Sequence, residues 1–344
     1  MSFAGNAVIA KARAICGHTL KAEDYTQLAA KESVADVCAY LKQTEQYGKA
    51  LASVNPQTVH RGQLEAIIRR SIFDIFERFH SFDHTKSREF FKYIVMQLEI
   101  EQLLSALQSM ASGMTVEYIA ALPMFLTKHS QIDLAALGLV KSYSEAIVLL
   151  HGTVYEKIVC PALAEAKSMG SLNICDIERR LYTNYYMQML KTVERDYKGS
   201  EKKDLKRLLL GVIDMKNVVT VYRYALFGAG TSDAKEVLIP FKRRLSDDAI
   251  ERLAAQKDIA KIAFELDTLG YGLHSQEIPA TVEILTDKIS LDHLKKQLRL
   301  SQSSSVVYFA FMELMGVELK NIKTITEGIR YGLDGSAILE MLVV

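Results

Sequence analysis

Three stretches of this chain carry one short signature: an acidic residue, an amide three positions later, and then an aliphatic residue. They are Glu99, Gln102 and Leu103; Asp214, Asn217 and Val218; and Glu318, Asn321 and Ile322, with the acids 115 and 104 positions apart. A single acid-x-x-amide pair carries little information, because such pairs are common on helices. Three at near-regular spacing, each inside a long stretch of helical periodicity, indicate an internal repeat. A second element precedes each signature: Leu41, Thr44 and Tyr47; Leu150, Thr153 and Tyr155; Leu266, Thr268 and Tyr271. Each of these follows a short amphipathic segment, Val34–Leu41, Tyr143–Leu150 or Ile259–Leu266. The repeating order gives approximate units Leu20–Ser112, Gly113–Gly230 and Thr231–Gly332. With the terminal helices added, the expected domains are residues 1–112, 113–230 and 231–344. Solenoid repeats are far shorter, roughly 20 to 50 residues, so three diverged helical domains are the better description.

The periodicity is that of helices throughout. Ile67, Ile68, Ile72, Ile75, Phe76 and Phe79 recur at i, i+4 and i+7 to i+8, as do Leu205, Leu208, Leu209, Val212 and Ile213. No Asn-Gly or Asp-Gly turn joins alternating runs, since Asp334-Gly335 lacks flanking strands. Pro56, Pro123, Pro161, Pro240 and Pro279 fall near the ends of periodic segments, where proline opens or stops a helix. The fold class is all-α.

Charge and cysteine usage narrow the setting. Lys plus Arg (42) nearly equals Asp plus Glu (41), so no strong overall field draws the chain to nucleic acid. Cys16, Cys38, Cys160 and Cys175 are irregularly spaced, with no CxxC pair, and read as free thiols in a reducing, cytoplasmic setting. Lys11, Arg13 and His18 interrupt the mildly apolar N-terminus, unlike a signal peptide. The longest apolar run, Val306 to Val317, contains Glu313. It falls well short of the ~20 residues of a membrane span. Work at a membrane would be done from its surface or through a partner.

On a helix, residues three apart share a face, so Asp214 and Asn217 point the same way. Their neighbours Ile213, Val218 and Val221 place that face near a helix–helix contact, where the polar pair would bond a neighbouring helix end or Arg223. A buried polar pair must be satisfied, which fixes register more than it adds stability. Glu99, Gln102, Asp214, Asn217, Arg223, Glu318 and Asn321 are therefore read as an architectural polar clasp. Three partner-binding sites are the sharper alternative.

Signatures of an active site are otherwise absent from the sequence. Glu77, His80 and His84 sit at spacings that can approach one metal, but a dinuclear carboxylate bundle needs the Glu-x-x-His element twice. A solvated helix end is the plainer reading. Gly228-Ala-Gly230 follows a helix and reads as its stop rather than a nucleotide loop. The serines of Ser301–Ser305 have no nearby histidine and suit a loop or a helix start. No cofactor is expected. Two basic runs remain, one containing Lys202, Lys203, Lys206 and Arg207, the other Lys242, Arg243 and Arg244. Such runs are usually solvated, but they also suit docking to an acidic partner helix. They lack the interleaved aromatics of single-strand nucleic-acid binders.

Several stretches, taken in order, resemble the rotor-collar component of V-type (archaeal-type) ATPases and ATP synthases, termed C in prokaryotes and d in eukaryotes. Glu23-Asp24-Tyr25, then Ser33 to Leu41 with Thr44 and Tyr47, is similar to the family's opening. Ile213 and Asp214 with Asn217 and Arg223 match its middle signature. Glu318, Asn321 and Ile322 with Glu327-Gly328-Ile329 and Tyr331-Gly332-Leu333 are similar to its closing segment. The resemblance covers about Leu20 to Leu342. It implies a funnel or bowl of three pseudo-threefold-related helical domains, without catalytic residues, on the cytoplasmic face of the membrane rotor ring. Its implied partners are that ring and the central stalk, between which it transmits torque. A free-standing helical scaffold and an all-α metalloenzyme on Glu77, His80 and His84 are the competing readings.

Overall fold

Helical periodicity becomes helix in every regular element that the computed structural model describes, namely within residues 3–112, 124–169, 171–228, 231–272 and 278–344. Pro123 and the expected boundary glycines Gly113 and Gly230 lie outside these residues. The chain divides into two compact units, Met1–Arg88 with Val193–Val344, and Glu89–Thr192. The first begins with α1 (Phe3–Gly17), α2 (Ala22–Ala29), α3 (Val34–Leu41), α4 (Gly48–Leu51) and α5 (Arg61–Phe82). The second holds α6 (Phe91–Ser112), α7 (Leu134–Leu139), α8 (Tyr143–Leu150), α9 (Glu156–Met169) and most of α10 (Ile174–Asp196). The chain then re-enters the first unit with α11 (Gly199–Leu226), α12 (Thr231–Val237), α13 (Asp247–Ala254) and α14 (Ile259–Thr268). It ends with α15 (Val282–Leu300), α16 (Ser304–Arg330) and α17 (Gly335–Glu340). No strand occurs among the described residues.

Helix α16 is the spine of the larger unit. Every residue from Ser305 to Met312 is buried, because α1, α5, α11 and α15 pack around it. The first part of the apolar run that is too short for a membrane span is therefore a core segment, while Gly316 near its end is exposed. Among the described residues no helix is long and apolar enough to cross a membrane. Aromatic side chains of α5 and α16 meet in this core. Phe76 meets Phe311 with ring centroids 5.4 Å apart, and Phe79 meets Tyr308 at 5.6 Å, both edge-on, the geometry that ring quadrupoles favour. A second core lies between the C-terminal half of α11 and helices α13 to α15, filled by Val218, Val221, Ile250, Leu266 and Leu285.

In the smaller unit, α6 is tied to α10 by Tyr93. Its hydroxyl donates to the Gln188 carbonyl at 2.8 Å and lies 2.5 Å from Thr192 Oγ1, and its ring meets Tyr185 edge-on at 6.0 Å. Pro161 departs from the expected pattern, since it lies inside α9 rather than at an end. It is exposed, as is Lys157 four residues earlier, so the carbonyl that loses its partner faces water.

Local chemistry sets the boundaries of the short helices. Ser33 Oγ accepts from Asp36 N at 3.1 Å and caps α3, while Ser142 Oγ accepts from Glu145 N at 3.3 Å and caps α8. Asp258 Oδ1 accepts from Ala260 N at 2.9 Å and caps α14. Each cap satisfies an N–H that the first helical turn leaves without a partner. The serine run does contain a helix start: Ser303 Oγ accepts from Val306 N at 3.4 Å. Asp334 caps α17 by accepting from Ala337 N at 2.8 Å. All four cysteines are free.

Candidate functional site: three carboxylate–tyrosine clasps

Each acid of the repeated signature is buried on a long helix and accepts a tyrosine hydroxyl. Asp214 on α11 is 0% exposed and accepts from Tyr271 Oη at 2.6 Å. It also accepts from the backbone N–H groups of Arg243 (3.0 Å) and Arg244 (2.8 Å). Glu99 on α6 accepts from Tyr155 Oη at 2.6 Å, from Ser130 Oγ at 2.8 Å and from the Gln131 N–H. Glu318 on α16 accepts from Tyr47 Oη, from Gln46 Nε2 at 2.6 Å and from the Leu20 N–H at 2.9 Å. A buried carboxylate needs several donors to offset the hydration it loses, and each of these three has at least three.

The tyrosines Tyr47, Tyr155 and Tyr271 are those of the Leu-Thr-Tyr element. Their pairing crosses the expected segment boundaries: Glu99 lies within 1–112 and Tyr155 within 113–230, while Asp214 lies within 113–230 and Tyr271 within 231–344. Glu318, from the last segment, takes Tyr47 from the first, 271 positions away. Burial, reinforced by the facing acid, pushes all three phenols above their usual range, so each is a neutral donor. Burial also raises the Glu318 carboxyl to about 7, against the opposing pull of the hydrogen bonds from Tyr47, Leu20 and Gln46.

Two kinds of turn place the tyrosines. In the first two copies the threonine hydroxyl donates to the leucine carbonyl at 2.7 Å, from Thr44 to Leu41 and from Thr153 to Leu150. The same hydroxyl accepts the tyrosine N–H, at 3.3 Å for Tyr47 and 3.2 Å for Tyr155. In the third copy Thr268 instead bonds the Phe264 carbonyl within α14, which runs two residues past the expected Leu266. Gly270 takes its place: at φ +76° it lets Tyr271 N reach the Leu266 carbonyl at 2.7 Å and its own N–H reach Asp267 at 2.7 Å. This pair of bonds is a Schellman helix ending.

The amides of the signature hold a different partner. Asn217 donates to the Ile239 carbonyl at 3.0 Å and accepts the Ile239 N–H at 2.9 Å. Asn321 treats Val343 in the same way, at 2.8 and 3.0 Å. In both cases the partner lies 22 residues downstream. A side-chain amide thus stands in for a neighbouring backbone and pins one returning residue to the helix. Gln102 is buried on α6.

The remaining expected residues separate from the clasps. Arg223, one of the two partners expected for the pair, lies away from it and bonds Glu283 at 2.9 Å on the surface. Lys202 and Lys206 both pair with Glu194, Arg207 with Asp204 at 3.5 Å, and Lys242 with Asp247 at 2.7 Å. Lys203 is exposed. Arg243 and Arg244 reach the second clasp through backbone N–H groups, and their guanidinium carbons lie 5.5 and 5.4 Å from the Tyr271 ring centroid. His80 falls near the end of α5 and His84 in the exposed turn after it. Among the described residues no group of three or more His, Cys, Asp or Glu side chains is placed to hold a metal.

Sequence reasoning found the acids and tyrosines but did not pair them, and it missed Asp83. That residue is 1% exposed and accepts from Ser87 Oγ at 2.5 Å and Thr85 N at 2.7 Å. A signal for the helix ends was present, because a glycine stands fourteen positions after every acid: Gly113, Gly228 and Gly332. The latter two have φ of +72° and +69°.

Known proteins align with nearly the whole chain. The C subunit of the A-type ATP synthase of Pyrococcus abyssi (strain GE5 / Orsay) is 23% identical over 342 residues, covering 97% of this chain and 88% of the relative. The protein of the same name from Desulfurococcus sp. (strain SY) is 21% identical, covering 96% and 88%. That of Archaeoglobus fulgidus is 20% identical, covering 98% and 95%. Residues 8–341 match the family described as ATP synthase (C/AC39) subunit. With the repeated clasp present along that same span, the chain belongs to the ATP synthase (C/AC39) subunit family.

Proposed function

We propose that this chain is a non-catalytic rotor subunit of an A/V-type ATP synthase that couples the central stalk to the membrane rotor ring. In this reading it sits on the cytoplasmic face and carries torque between ATP chemistry and ion movement. Three related helical domains, corresponding to residues 1–112, 113–230 and 231–344, form a funnel that receives the foot of the stalk. The observation that carries the proposal is the clasp made three times, with the third closed by residues from the two ends of the chain. A part that transmits torque needs elements that do not slip. A buried carboxylate with three donors fixes register, because any slip strands the charge.

The test is association and coupling. The purified chain is expected to co-purify at low salt with the central-stalk and ring subunits of an A-type synthase. Failure to bind either leaves a free-standing helical scaffold as the reading. Asn217→Leu is expected to lower stability by about 1–3 kcal/mol, since it strands both polar groups of Ile239. It is also expected to weaken coupling of ATP hydrolysis to ion transport in the assembled enzyme. Unchanged stability together with unchanged coupling would overturn the role given to the clasp.

A further inference from the structure

The cations near the second clasp are arranged in a way that its architecture does not require. Arg243 and Arg244, between α12 and α13, both lie against the Tyr271 ring, and Arg243 Nη1 is 3.7 Å from the Cβ position of Gly211 on α11, one turn beyond Arg207. Helix α15 packs on α11 and carries the His293 imidazole with Lys296 one turn beyond it. Burial first, and then these four charges, hold that imidazole below its usual range. His293 Nε2 is buried with no hydrogen-bond partner among the described residues. Two of the cations are fixed in place. The N–H groups of Arg243 and Arg244 are held by Asp214, and both guanidinium groups lie against Tyr271. The Arg244 guanidinium also donates to the Leu269 carbonyl.

Clustered like charge is a cost unless an anion offsets it. Lys202, Lys206 and Lys242 are offset by carboxylates of the chain itself. Of the four cations Arg207, Arg243, Arg244 and Lys296, only Arg207 makes an ion pair among the described residues, with Asp204 at 3.5 Å. Arg207, Arg244 and Lys296 are exposed, so the cluster is an open surface spread over two helices and a loop. A small phosphate is a poor fit. The loop amides that would cradle it are already bonded to Asp214, whose carboxylate would repel it. Separate carboxylates on a protein surface fit better, since a guanidinium takes each one edge-on through two parallel bonds.

We propose that Arg207, Arg243, Arg244 and Lys296 form a docking surface for an acidic protein segment presenting several carboxylates. The proposal deepens the reading of this chain as a subunit held by partners, and it gives that docking a place and a charge. The test uses the full-length chain and immobilised poly-L-glutamate as the probe, at low and high salt. Arg207→Gln combined with Lys296→Gln is expected to weaken binding about tenfold at low salt and to flatten its salt dependence. Both residues are exposed and neither side chain belongs to a clasp, so an unchanged thermal melt is expected. Wild-type affinity in that variant would overturn the proposal. So would an equal loss in the charge-matched control Lys128→Gln with Lys167→Gln, two exposed lysines of the other unit. Tighter binding of inorganic tripolyphosphate that is lost in the same variant would replace the acidic segment with a phosphate ligand. Co-purification with stalk and ring subunits, run in parallel, separates the two readings. Association without poly-L-glutamate binding removes the surface alone; poly-L-glutamate binding without association removes the rotor reading alone.

Discussion

Glu318 shows how much one buried carboxyl can control. It is 4% exposed, bonded to Tyr47, Gln46 and Leu20, and it holds its proton to about 7 rather than the ordinary 4.5. Between those values the folded chain keeps a proton that the unfolded chain has released. The stability this group contributes is therefore complete below pH 4.5 and lost as pH rises through about 7. Glu318→Gln keeps the shape and removes the titration. Urea unfolding at pH 5 and pH 8 is expected to show the wild type losing more stability than the variant over that interval, by on the order of 3 kcal/mol. Equal losses would place the proton elsewhere. The sequence makes the acid visible as one of three repeats but not its titration, because the pKa is set by side chains and a backbone N–H brought from distant positions.

Among the elements, the short helices were the most legible. Val34–Leu41 and Tyr143–Leu150 are α3 and α8 to the residue, because Ser33 and Ser142 stand immediately before them and cap them locally. The third copy runs two residues longer because its stop is Gly270 rather than a threonine hydroxyl. A Cβ at Gly270 would meet a positive φ and lie 1.7 Å from Arg244 Nη1. Gly270→Ala is expected to cost roughly 1–3 kcal/mol in thermal or urea unfolding. In an Arg244→Ala background the cost is expected to be smaller, because the steric part disappears and only the backbone part remains. An equal cost in both backgrounds would show that the guanidinium moves aside freely. The long helices were legible as periodic stretches. Which face α16 buries was not, since Ser305 to Met312 are buried without a break and leave no polar face in that stretch.

At the scale of the whole molecule, the clasps divide between the two compact units. Glu99 and Tyr155 lie in Glu89–Thr192, and the other two pairs lie in Met1–Arg88 with Val193–Val344. Tyr155→Phe is expected to speed amide exchange within residues 89–192 and leave the larger unit unchanged. Tyr47→Phe is expected to do the reverse, loosening α2, α3 and the C-terminal half of α16. Uniform acceleration across the chain in either variant would mean that the two units unfold as one. The sequence alone determined the helical class, the capped starts of α3 and α8 and each copy of the acid-x-x-amide signature, because each rests on residues within a few turns of one another. The tertiary structure alone decided which tyrosine each acid receives, that Arg223 stands apart, and that the last acid is closed by the first tyrosine. Those contacts join residues 56, 57 and 271 positions apart, and no local propensity encodes a bond at such range. It forms only when core packing has brought the helices together and left each buried carboxylate no water to bond.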